Sequence, residues 1–328
     1  MLTEQLSPYL VDQLNSPEMK PLRKQYGETL VELGKENQDI VVLDADLACS
    51  TQTKLFADAF PDRFFNQGIS EQDLVNTAAG LSTTGKIPFC STFALFAAGK
   101  AWDQIRNTVC YSGLNVKICP THSGLSLGED GASHQAIEDI ALMRVIPGMT
   151  VLVPADAVET DRMIRWAAAY DGPVYVRLVR PNCPVIFNAS YTLNQQSPHQ
   201  MQILRAGNDI TIVATGETVY FSLVAAETLE KKHSIQAEVL NAGFIKPFDT
   251  ETLVKSAKKT GKVLTVESHQ VIGGLGGVVS EVLGEHYPVP VKRLGVQDKF
   301  GQSGKAALLF KEYGIDSDAI LRAVLQLT

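Results

Sequence analysis

Segments typical of β-strands alternate with segments typical of α-helices along almost the whole chain, and this order constrains the fold more than any other feature. In the first half, the strand-like runs are DIVVLDADL, IPFCSTFALF, NVKICPTH, MTVLVPAD and PVYVRLVR. Helix-like runs such as KLFADAFP, DLVNTAAGLSTTG, AWDQIRNTV, HQAIEDIALMRV and AVETDRMIRWAAAY lie between them. Strands that alternate with helices need crossover connections, which produce a parallel sheet covered by helices on both faces. The sequence therefore predicts an α/β fold of the doubly wound type.

The alternation is interrupted once, and the interruption predicts a boundary between two domains. Residues 188–208 are polar, contain turn-forming residues and have no long apolar run. The alternation then resumes with DITIVATG and continues to VPVKRLGV, which predicts a second, smaller α/β domain with a parallel sheet. We therefore expect an N-terminal arm over residues 1–20, a first domain over 21–187, a linker over 188–208 and a second domain over 209–328.

Charge and cysteine content exclude several classes of protein. The formal net charge of −7 argues against binding to nucleic acid or to a membrane surface by bulk charge. The five cysteines include no C-x-x-C pair, which favours a reducing compartment over a disulfide framework or a zinc site. The N-terminus lacks the basic and apolar regions of a secretory signal, and no apolar run reaches the roughly 18 residues that span a bilayer. We expect a cytoplasmic protein.

Polar and aromatic residues collect where the predicted strands of the first domain end. Ligands of open parallel sheets bind beyond the carboxyl ends of the strands, so these residues predict a site at one edge of the sheet. They are Asp46, Ser50, Glu71, Thr92, Phe93, His122 and Arg180.

Glu71 stands out because it lies between a strand and a helix in the stretch NQGISEQDLV. The simpler interpretation is that Ser70 or Glu71 caps the helix, since capping groups satisfy free N–H groups at a helix start. The alternative is a functional carboxyl group, because a carboxyl in apolar surroundings can keep or share a proton.

The loop THSGLSLGEDGASHQ carries two histidines and two acids between a strand and a helix. A metal site built from His122, Glu129, Asp130 and His134 is disfavoured because their spacing matches no compact ligand motif. His134 is predicted to lie at a helix N-terminus, whose positive end would keep the imidazole neutral. A neutral histidine in such a loop is suited to polarising a carbonyl group or to passing a proton.

Taken together, these motifs identify a family: the chain resembles the C-terminal half of transketolase, a thiamine-diphosphate enzyme. The resemblance is to the pyrimidine-binding domain of that family and the smaller C-terminal domain that follows it. NQGISEQ, STFALF, DADLACS and, most specifically, GEDGASHQ carry the resemblance, which covers roughly residues 20–328.

The family also holds diphosphate and Mg²⁺ in a further domain, through a Gly-Asp-Gly motif followed by an asparagine, and this chain has no such motif. The resemblance therefore implies one subunit of a split enzyme. It implies thiamine diphosphate shared with a partner chain, Mg²⁺ ligands on that partner and none here, and an α2β2 heterotetramer. Self-association and sugar-phosphate substrates are also expected. The implied reaction, that of the pentose phosphate pathway, moves a two-carbon ketol unit from a ketose to an aldose.

The resemblance also implies roles for individual residues. Glu71 would hydrogen-bond the aminopyrimidine nitrogen of the cofactor, with Phe93 and Phe96 lining the pyrimidine pocket. Asp46 and Leu47 match the Asp-Leu pair near the cofactor. Three positions after Phe96, where the family often has an aromatic residue, this chain has Gly99.

The substrate end of the site is implied in the same way. Arg23, Ser50, His122 and Arg180 match the positions that bind the substrate phosphate, and two guanidinium groups suit a dianion. Asp130 matches the residue that contacts the C2 hydroxyl of the donor. His134 matches the catalytic residue that hydrogen-bonds the carbonyl oxygen.

Alternative interpretations remain. One is the β-subunit of a 2-oxo-acid dehydrogenase or another thiamine-dependent synthase, and a second is a non-catalytic regulatory subunit. The stretch GGLGG also resembles a dinucleotide-binding fingerprint, but its glycine spacing is wrong and a tight turn with close helix packing fits better.

Overall fold

The computed structural model describes residues 6–11, 14 and 16–328 of the chain. Its β-strands are β1 (Met19–Pro21), β2 (Ile40–Asp44), β3 (Phe64–Asn66), β4 (Ile87–Ser91), β5 (Lys117–Ile118), β6 (Thr150–Leu152), β7 (Val174–Val176), β8 (Asn182–Pro184), β9 (Gln202–Arg205), β10 (Ile210–Ala214), β11 (Ala237–Asn241), β12 (Phe244–Lys246), β13 (Val263–Gln270) and β14 (Val291–Val296). Its α-helices are α1 (Leu22–Glu36), α2 (Ala48–Thr51), α3 (Lys54–Ala59), α4 (Glu71–Ser82), α5 (Asp139–Arg144), α6 (Ala157–Ala169), α7 (Thr218–His233), α8 (Thr250–Thr260), α9 (Leu275–His286), α10 (Ala306–Glu312) and α11 (Ser317–Leu327). Short 3₁₀ helices cover Pro61–Arg63 and Leu125–Leu127, and π-helices cover Phe96–Lys100 and Gln104–Cys110. None of the helices within these described ranges combines the length and apolar character needed to cross a membrane.

The larger sheet has the order β12-β6-β7-β5-β4-β2-β3, and all its strands run parallel except β12 at one edge. Helices cover both faces, as the apolar strands predict. Along β2, Ile40 and Val42 pack in one apolar cluster with residues of α1 and α6, whereas Val41 and Leu43 pack in another with residues of α4. This separation follows from the two-residue period of a strand. The predicted doubly wound α/β class is confirmed.

The smaller sheet has the order β14-β13-β10-β11-β9 and is parallel except for β9. Residues of α7 and α11 pack on one face of it, and residues of α8 and α9 pack on the other. Strand β9 belongs to the segment 188–208, so the segment between the two sheets supplies an antiparallel edge strand.

The two halves of the chain contribute to one sheet and to one apolar cluster. Strand β12 belongs to the second half, yet it pairs with β6 as the edge of the larger sheet, with Phe244 opposite Leu152. The backbone N–H of Val153 also donates to the carbonyl of Gly243 at 2.8 Å. One apolar cluster contains Val151 from the larger sheet and Leu240 from the smaller one. The core is therefore continuous across the junction.

The segment before α5 differs from the prediction of a helix over residues 134–145. Ala136 instead forms a parallel bridge with Ser123, and its carbonyl accepts from the N–H of Gly124 at 2.9 Å. The N–H of Ile137 donates to the Glu138 carboxylate at 2.8 Å. Because these contacts use the backbone groups of residues 136 and 137, the helix begins only at Asp139. His134 lies in the preceding turn, so the prediction that a helix N-terminus acts on it is wrong.

The GGLGG stretch, residues 273–277, spans the start of α9, and the first backbone amides of this helix are already occupied. The buried carboxylate of Glu267 accepts from the N–H groups of Leu275 and Gly276 at 2.7 and 2.8 Å. A Cβ atom on Gly274 would lie 2.0 Å from Glu267 Oε2. This turn therefore packs against a side chain and has no room for a dinucleotide phosphate.

Candidate functional site

The site forms at the carboxyl edge of the larger sheet, where residues that follow β4 and β5 continue to pair. Phe93 and Thr121 form a parallel bridge beyond the two strands, and the N–H of Ala94 donates to the carbonyl of Thr121 at 2.8 Å. This pairing brings the Phe93 ring onto the imidazole of His122, with the ring centroids 3.9 Å apart. His122 has a φ of 63°, an uncommon conformation for a residue other than glycine. The Nδ1 atom of His122 is 2.7 Å from Thr121 Oγ1.

Glu71 is the first residue of α4, and its side chain is only 3 % exposed. Ser70 makes no side-chain capping hydrogen bond, so the capping interpretation fails for Ser70. The Glu71 carboxylate instead contacts the ammonium group of Lys100, whose side chain is about half exposed. The surroundings of Glu71 are therefore less apolar than the sequence predicts, because a cation reaches the carboxylate from the end of a π-helix.

Phe93 and Phe96, which lie between β4 and Lys100 in the chain, pack with each other and with His134. The centroids of Phe93 and Phe96 are 5.9 Å apart, and the two rings are stacked. His134 lies edge-on to Phe96, at a centroid distance of 5.4 Å. At Gly99, an added Cβ would meet only Leu95, at 3.8 Å, so the missing aromatic side chain leaves open space on this side. Phe93, Phe96 and His134 thus pack together, and the backbone at Gly99 leaves room for a larger side chain.

A positively charged cluster lies at the other end of the stacked rings. Arg23 donates from Nη1 to the carbonyl of Ser50 at 2.7 Å, and Arg180 donates from Nη1 to the carbonyl of Leu127 at 2.8 Å. Burial, assisted by the charges of Arg23, Arg180 and His134, lowers the pKa of His122 to about 3. Burial and the charge of Arg180 also lower the pKa of Arg23. These groups are close enough to oppose one another's charge, so a bound anion would relieve their repulsion.

The loop between β5 and α5 presents the remaining predicted substrate residues. Asp130 is exposed, and His134 is half-buried with its Nδ1 atom 3.0 Å from Ser133 Oγ. Arg180 reaches the same loop, since its Nη1 atom is 3.3 Å from the Glu129 carboxylate. The structure therefore places the predicted carbonyl-binding histidine beside the aromatic rings and the predicted hydroxyl-binding acid on the surface of the loop.

The segment DADLACS contains a structural acid as well as the predicted cofactor residues. The buried carboxylate of Asp44 accepts from the N–H of Leu47 at 2.6 Å and from the hydroxyls of Thr51 and Thr53 at 2.7 and 2.8 Å. Burial raises the pKa of Asp44. Asp46 is exposed, has a φ of 64° and exchanges hydrogen bonds with Asn66. Asp44 therefore holds the turn after β2 in place, and the hydrogen bonds of Asp46 connect this turn to Asn66 of β3.

The sequence motifs assign no role to Lys100 or to Gln135, although Gln135 ends the GEDGASHQ stretch. Lys100 is the last residue of the π-helix Phe96–Lys100, and its ammonium group contacts Glu71. Gln135 is buried under the loop that carries Asp130 and His134. Arg177, which follows β7 as Arg180 does, is buried and binds Asp139 at 2.8 Å, away from the cluster described above. Within the part of the chain that the structure describes, no group of three or more His, Cys, Asp or Glu side chains could hold a metal ion.

Known protein families match both halves of the chain. Residues 18–185 match the transketolase pyrimidine binding domain, and residues 199–320 match the transketolase C-terminal domain.

Individual proteins match almost the whole chain. A protein of Methanocaldococcus jannaschii, described as a transketolase C-terminal section, is 49 % identical over 312 residues, which cover 94 % of this chain and 96 % of that protein. A 6-deoxy-6-sulfo-D-fructose transketolase subunit of Clostridium sp. strain MSTE9 is 41 % identical over 309 residues, 94 % of each chain. A solved structure described as a split gene transketolase, inactive beta4 tetramer, superposes with a TM-score of 0.86 at 52 % identity, over 94 % of this chain and 98 % of that one.

Proposed function

This chain belongs to the transketolase family, as one subunit of a split, thiamine-diphosphate-dependent transketolase, and from this premise we propose that it transfers a two-carbon ketol unit between sugar phosphates only when joined to a second chain. The second chain would carry the diphosphate-binding domain and the Mg²⁺ ligands. The stacking of Phe93 on His122 carries the proposal, because it joins the predicted cofactor pocket to a cationic cluster of the kind that a sugar phosphate needs.

The residues near Glu71 fit the aminopyrimidine half of thiamine diphosphate. A flat heterocycle needs aromatic neighbours and a carboxyl group at its ring nitrogen, and Phe93, Phe96 and Glu71 offer both. The hydroxyl of Thr92 is buried and lacks a hydrogen-bond partner among the described residues, which leaves it free to bind a ligand. When bound, the cofactor supplies the thiazolium carbon at which ketoses are cleaved. Glu71 would hold or share a proton at the pyrimidine nitrogen, and Lys100 would have to move or share the carboxylate.

The surface around Glu71 supports the need for a partner chain. Ile69 lies two positions before Glu71 and is 78 % exposed, although it is a large apolar side chain. A partner that covers this side would bury Ile69 and would exclude water from the carboxylate. The solved relative described as an inactive beta4 tetramer supports the same view, because it is a split-gene chain assembled without activity. We propose α2β2 for the active assembly and self-association for the chain alone.

The cationic cluster would bind the anionic end of the sugar. Arg23 and Arg180 would supply the charge, and neutral His122 and the Ser50 hydroxyl would supply hydrogen bonds. The Clostridium relative is described as acting on a sulfo-sugar, which likewise has an anionic end.

The loop residues would act at the other end of the substrate. Asp130 would contact the donor hydroxyl, and His134 would hydrogen-bond the carbonyl oxygen. Asp46 and Leu47 would lie near the cofactor, at the carboxyl end of β2.

Turnover with defined substrates tests the proposal. The chain is mixed with a candidate partner that bears a Gly-Asp-Gly motif, thiamine diphosphate and Mg²⁺, and is supplied with xylulose 5-phosphate and ribose 5-phosphate. We expect activity from the mixture and none from either chain alone. Activity of this chain alone, or failure with every partner of that type, would exclude the proposal.

A further inference from the structure

Gln135 lies under the loop that carries Asp130 and His134, and it ties this loop to the second half of the chain. Its side chain is 2 % exposed. The Nε2 atom is 3.2 Å from the carbonyl oxygen of Leu125, 3.4 Å from that of Gly128 and 3.0 Å from that of Gln302. Two of these acceptors belong to the loop itself, and the third belongs to the segment that follows β14. One amide group therefore closes the loop and anchors it.

The segment Gly301–Gly304 contacts the loop at further points. The Ser303 hydroxyl donates to the carbonyl of Glu129 at 2.5 Å. A Cβ atom added to Gly301 would lie 1.8 Å from Gln135 Oε1, and one added to Gly128 would lie 3.2 Å from the carbonyl oxygen of Gly304. The two backbones are therefore in direct contact, and the small residues of the segment are what permit this approach.

The loop has little regular structure of its own that could fix its shape. Between Gly124 and Gln135 its only regular element in the described chain is the 3₁₀ turn Leu125–Leu127. Gly128 and Gly131 have φ angles of 91° and 79°, a backbone conformation that residues other than glycine rarely adopt. A loop of this kind keeps one conformation only when its surroundings determine it. On the side of the loop that faces the protein interior, Gln135 and the segment Gly301–Gly304 make these contacts.

We propose that Gln135 and the segment Gly301–Gly304, together named the buttress, hold the loop so that Asp130 and His134 face the substrate. This inference rests on the proposed function for the roles of those two residues. It makes Gln135 a positioning residue and gives the second half of the chain a part in catalysis without any contact with substrate. Misplacement of catalytic groups by about 1 Å can lower a rate on the order of 10²-fold.

Two variants disturb the buttress in different ways. Gln135→Met keeps the length and burial of the side chain but removes all three hydrogen bonds. Gly301→Ala places a methyl group against Gln135 and keeps every polar group. The matched control is Gly284→Ala, because an added Cβ at this helical glycine meets nothing within 4 Å.

Hydrogen exchange of the chain alone tests the geometry without reference to activity. We expect amide exchange over residues 124–136 to quicken by about tenfold or more in Gln135→Met and Gly301→Ala. The amides of β10 and the Gly284→Ala variant should match the wild type. Gln135→Ala removes the oxygen with which the methyl group added by Gly301→Ala would clash. The double variant Gly301→Ala/Gln135→Ala should therefore accelerate amide exchange by less than the combined effects of Gly301→Ala and Gln135→Ala measured separately. Unchanged amide exchange in both Gln135→Met and Gly301→Ala would show that the buttress does not hold the loop.

Kinetics of the assembled enzyme test the positioning role. We expect kcat for xylulose 5-phosphate to fall by about tenfold or more in Gln135→Met, with thiamine diphosphate bound as tightly as in the wild type. Faster exchange with an unchanged kcat would overturn positioning. A wild-type assembly without ketol transfer would overturn the proposed function instead, and the exchange result would still decide whether the buttress holds the loop.

Discussion

The imidazole ring of His122 stacks on the phenyl ring of Phe93, with their centroids 3.9 Å apart and their planes 25° from parallel. Phe93 also stacks with Phe96, at 5.9 Å. One aromatic row therefore runs from the proposed pyrimidine pocket to the proposed phosphate site. His122 meets the two arginines as a neutral ring, since burial and the nearby positive charges lower its pKa to about 3.

The low pKa of His122 predicts how stability depends on pH. Between about pH 6.5 and about pH 3 the unfolded chain protonates this histidine and the folded chain does not, so stability is lost as the pH falls through this window. We expect the unfolding free energy to drop on the order of 2 kcal/mol more in the wild type than in His122→Gln when the pH is lowered from about 7.5 to about 4.5. Urea titrations at the two pH values measure this difference. His233→Gln, at an exposed position of α7, is the control and should behave as the wild type. Equal losses in all three proteins would contradict the neutral state of His122.

The chain alone should be inactive and should bind thiamine diphosphate weakly. Its described residues include no cluster of three or more acidic, His or Cys side chains that could hold Mg²⁺, and its sequence has no Gly-Asp-Gly motif. Titration calorimetry with cofactor and Mg²⁺ measures the affinity of the chain before and after the partner is added. Tight, Mg²⁺-dependent binding by the chain alone would show that it holds the diphosphate itself.

Glu71→Gln should lower turnover of the assembled enzyme on the order of 10²-fold or more while the fold is retained. An amide can still hydrogen-bond the pyrimidine nitrogen, but it cannot give or share a proton. Exchange of the cofactor C2 proton, followed by NMR, measures this step directly. Asp73→Asn removes an exposed acid from the same helical turn and should leave exchange unchanged. Near-normal exchange in Glu71→Gln would reduce Glu71 to a structural partner of Lys100.

Arg23→Ala and Arg180→Ala should act mainly on phosphorylated donors. Each variant loses one charge-assisted contact worth about 1.5–3 kcal/mol, which corresponds to roughly a ten- to hundredfold loss in kcat/KM. Hydroxypyruvate, which has no phosphate, should be affected much less. The comparison is made at fixed ionic strength and saturating acceptor, with Arg322→Ala, on the exposed side of α11, as the control. Both arginines also bind backbone carbonyls, so equal losses with the two donors would assign them to structure rather than to phosphate.

The sequence predicts the parts of this fold that depend on apolar periodicity. Strands such as β2 and β10 are runs of apolar and β-branched residues, and burial from both faces makes them recognisable. The same pattern predicts that the polar residues after these strands lie together, because the carboxyl ends of parallel strands lie at the same edge of the sheet. Their proposed roles came from motif resemblance and remain proposals.

The sequence does not show where hydrogen bonds depart from the regular pattern. Ala136 and Ile137 have helical spacing with Ile140 and Met143, yet their backbone groups bind Gly124 and Glu138 instead. The pattern predicts an ordinary helix over residues 101–109, where the structure has the π-helix Gln104–Cys110. The π-helix Phe96–Lys100, whose last residue contacts Glu71, lies outside that prediction. Such choices depend on tertiary contacts, so the contact between Lys100 and Glu71 could not be predicted from the residues around Lys100. Gln135 ends the GEDGASHQ motif, but that motif does not show its contact with the distant Gln302.

Strand β12 belongs to the second half of the chain but completes the larger sheet, and this limits where the chain can be cut into separate fragments. A fragment that ends within residues 188–208 would lose β12 and would leave β6 as an open edge, with unpaired N–H and carbonyl groups ready to pair with another molecule. The complementary fragment would carry a strand with no sheet to join. A cut at the visible seam between the two sheets would therefore give one aggregation-prone piece and one incomplete piece. The two halves of the chain should therefore be produced and engineered as one piece.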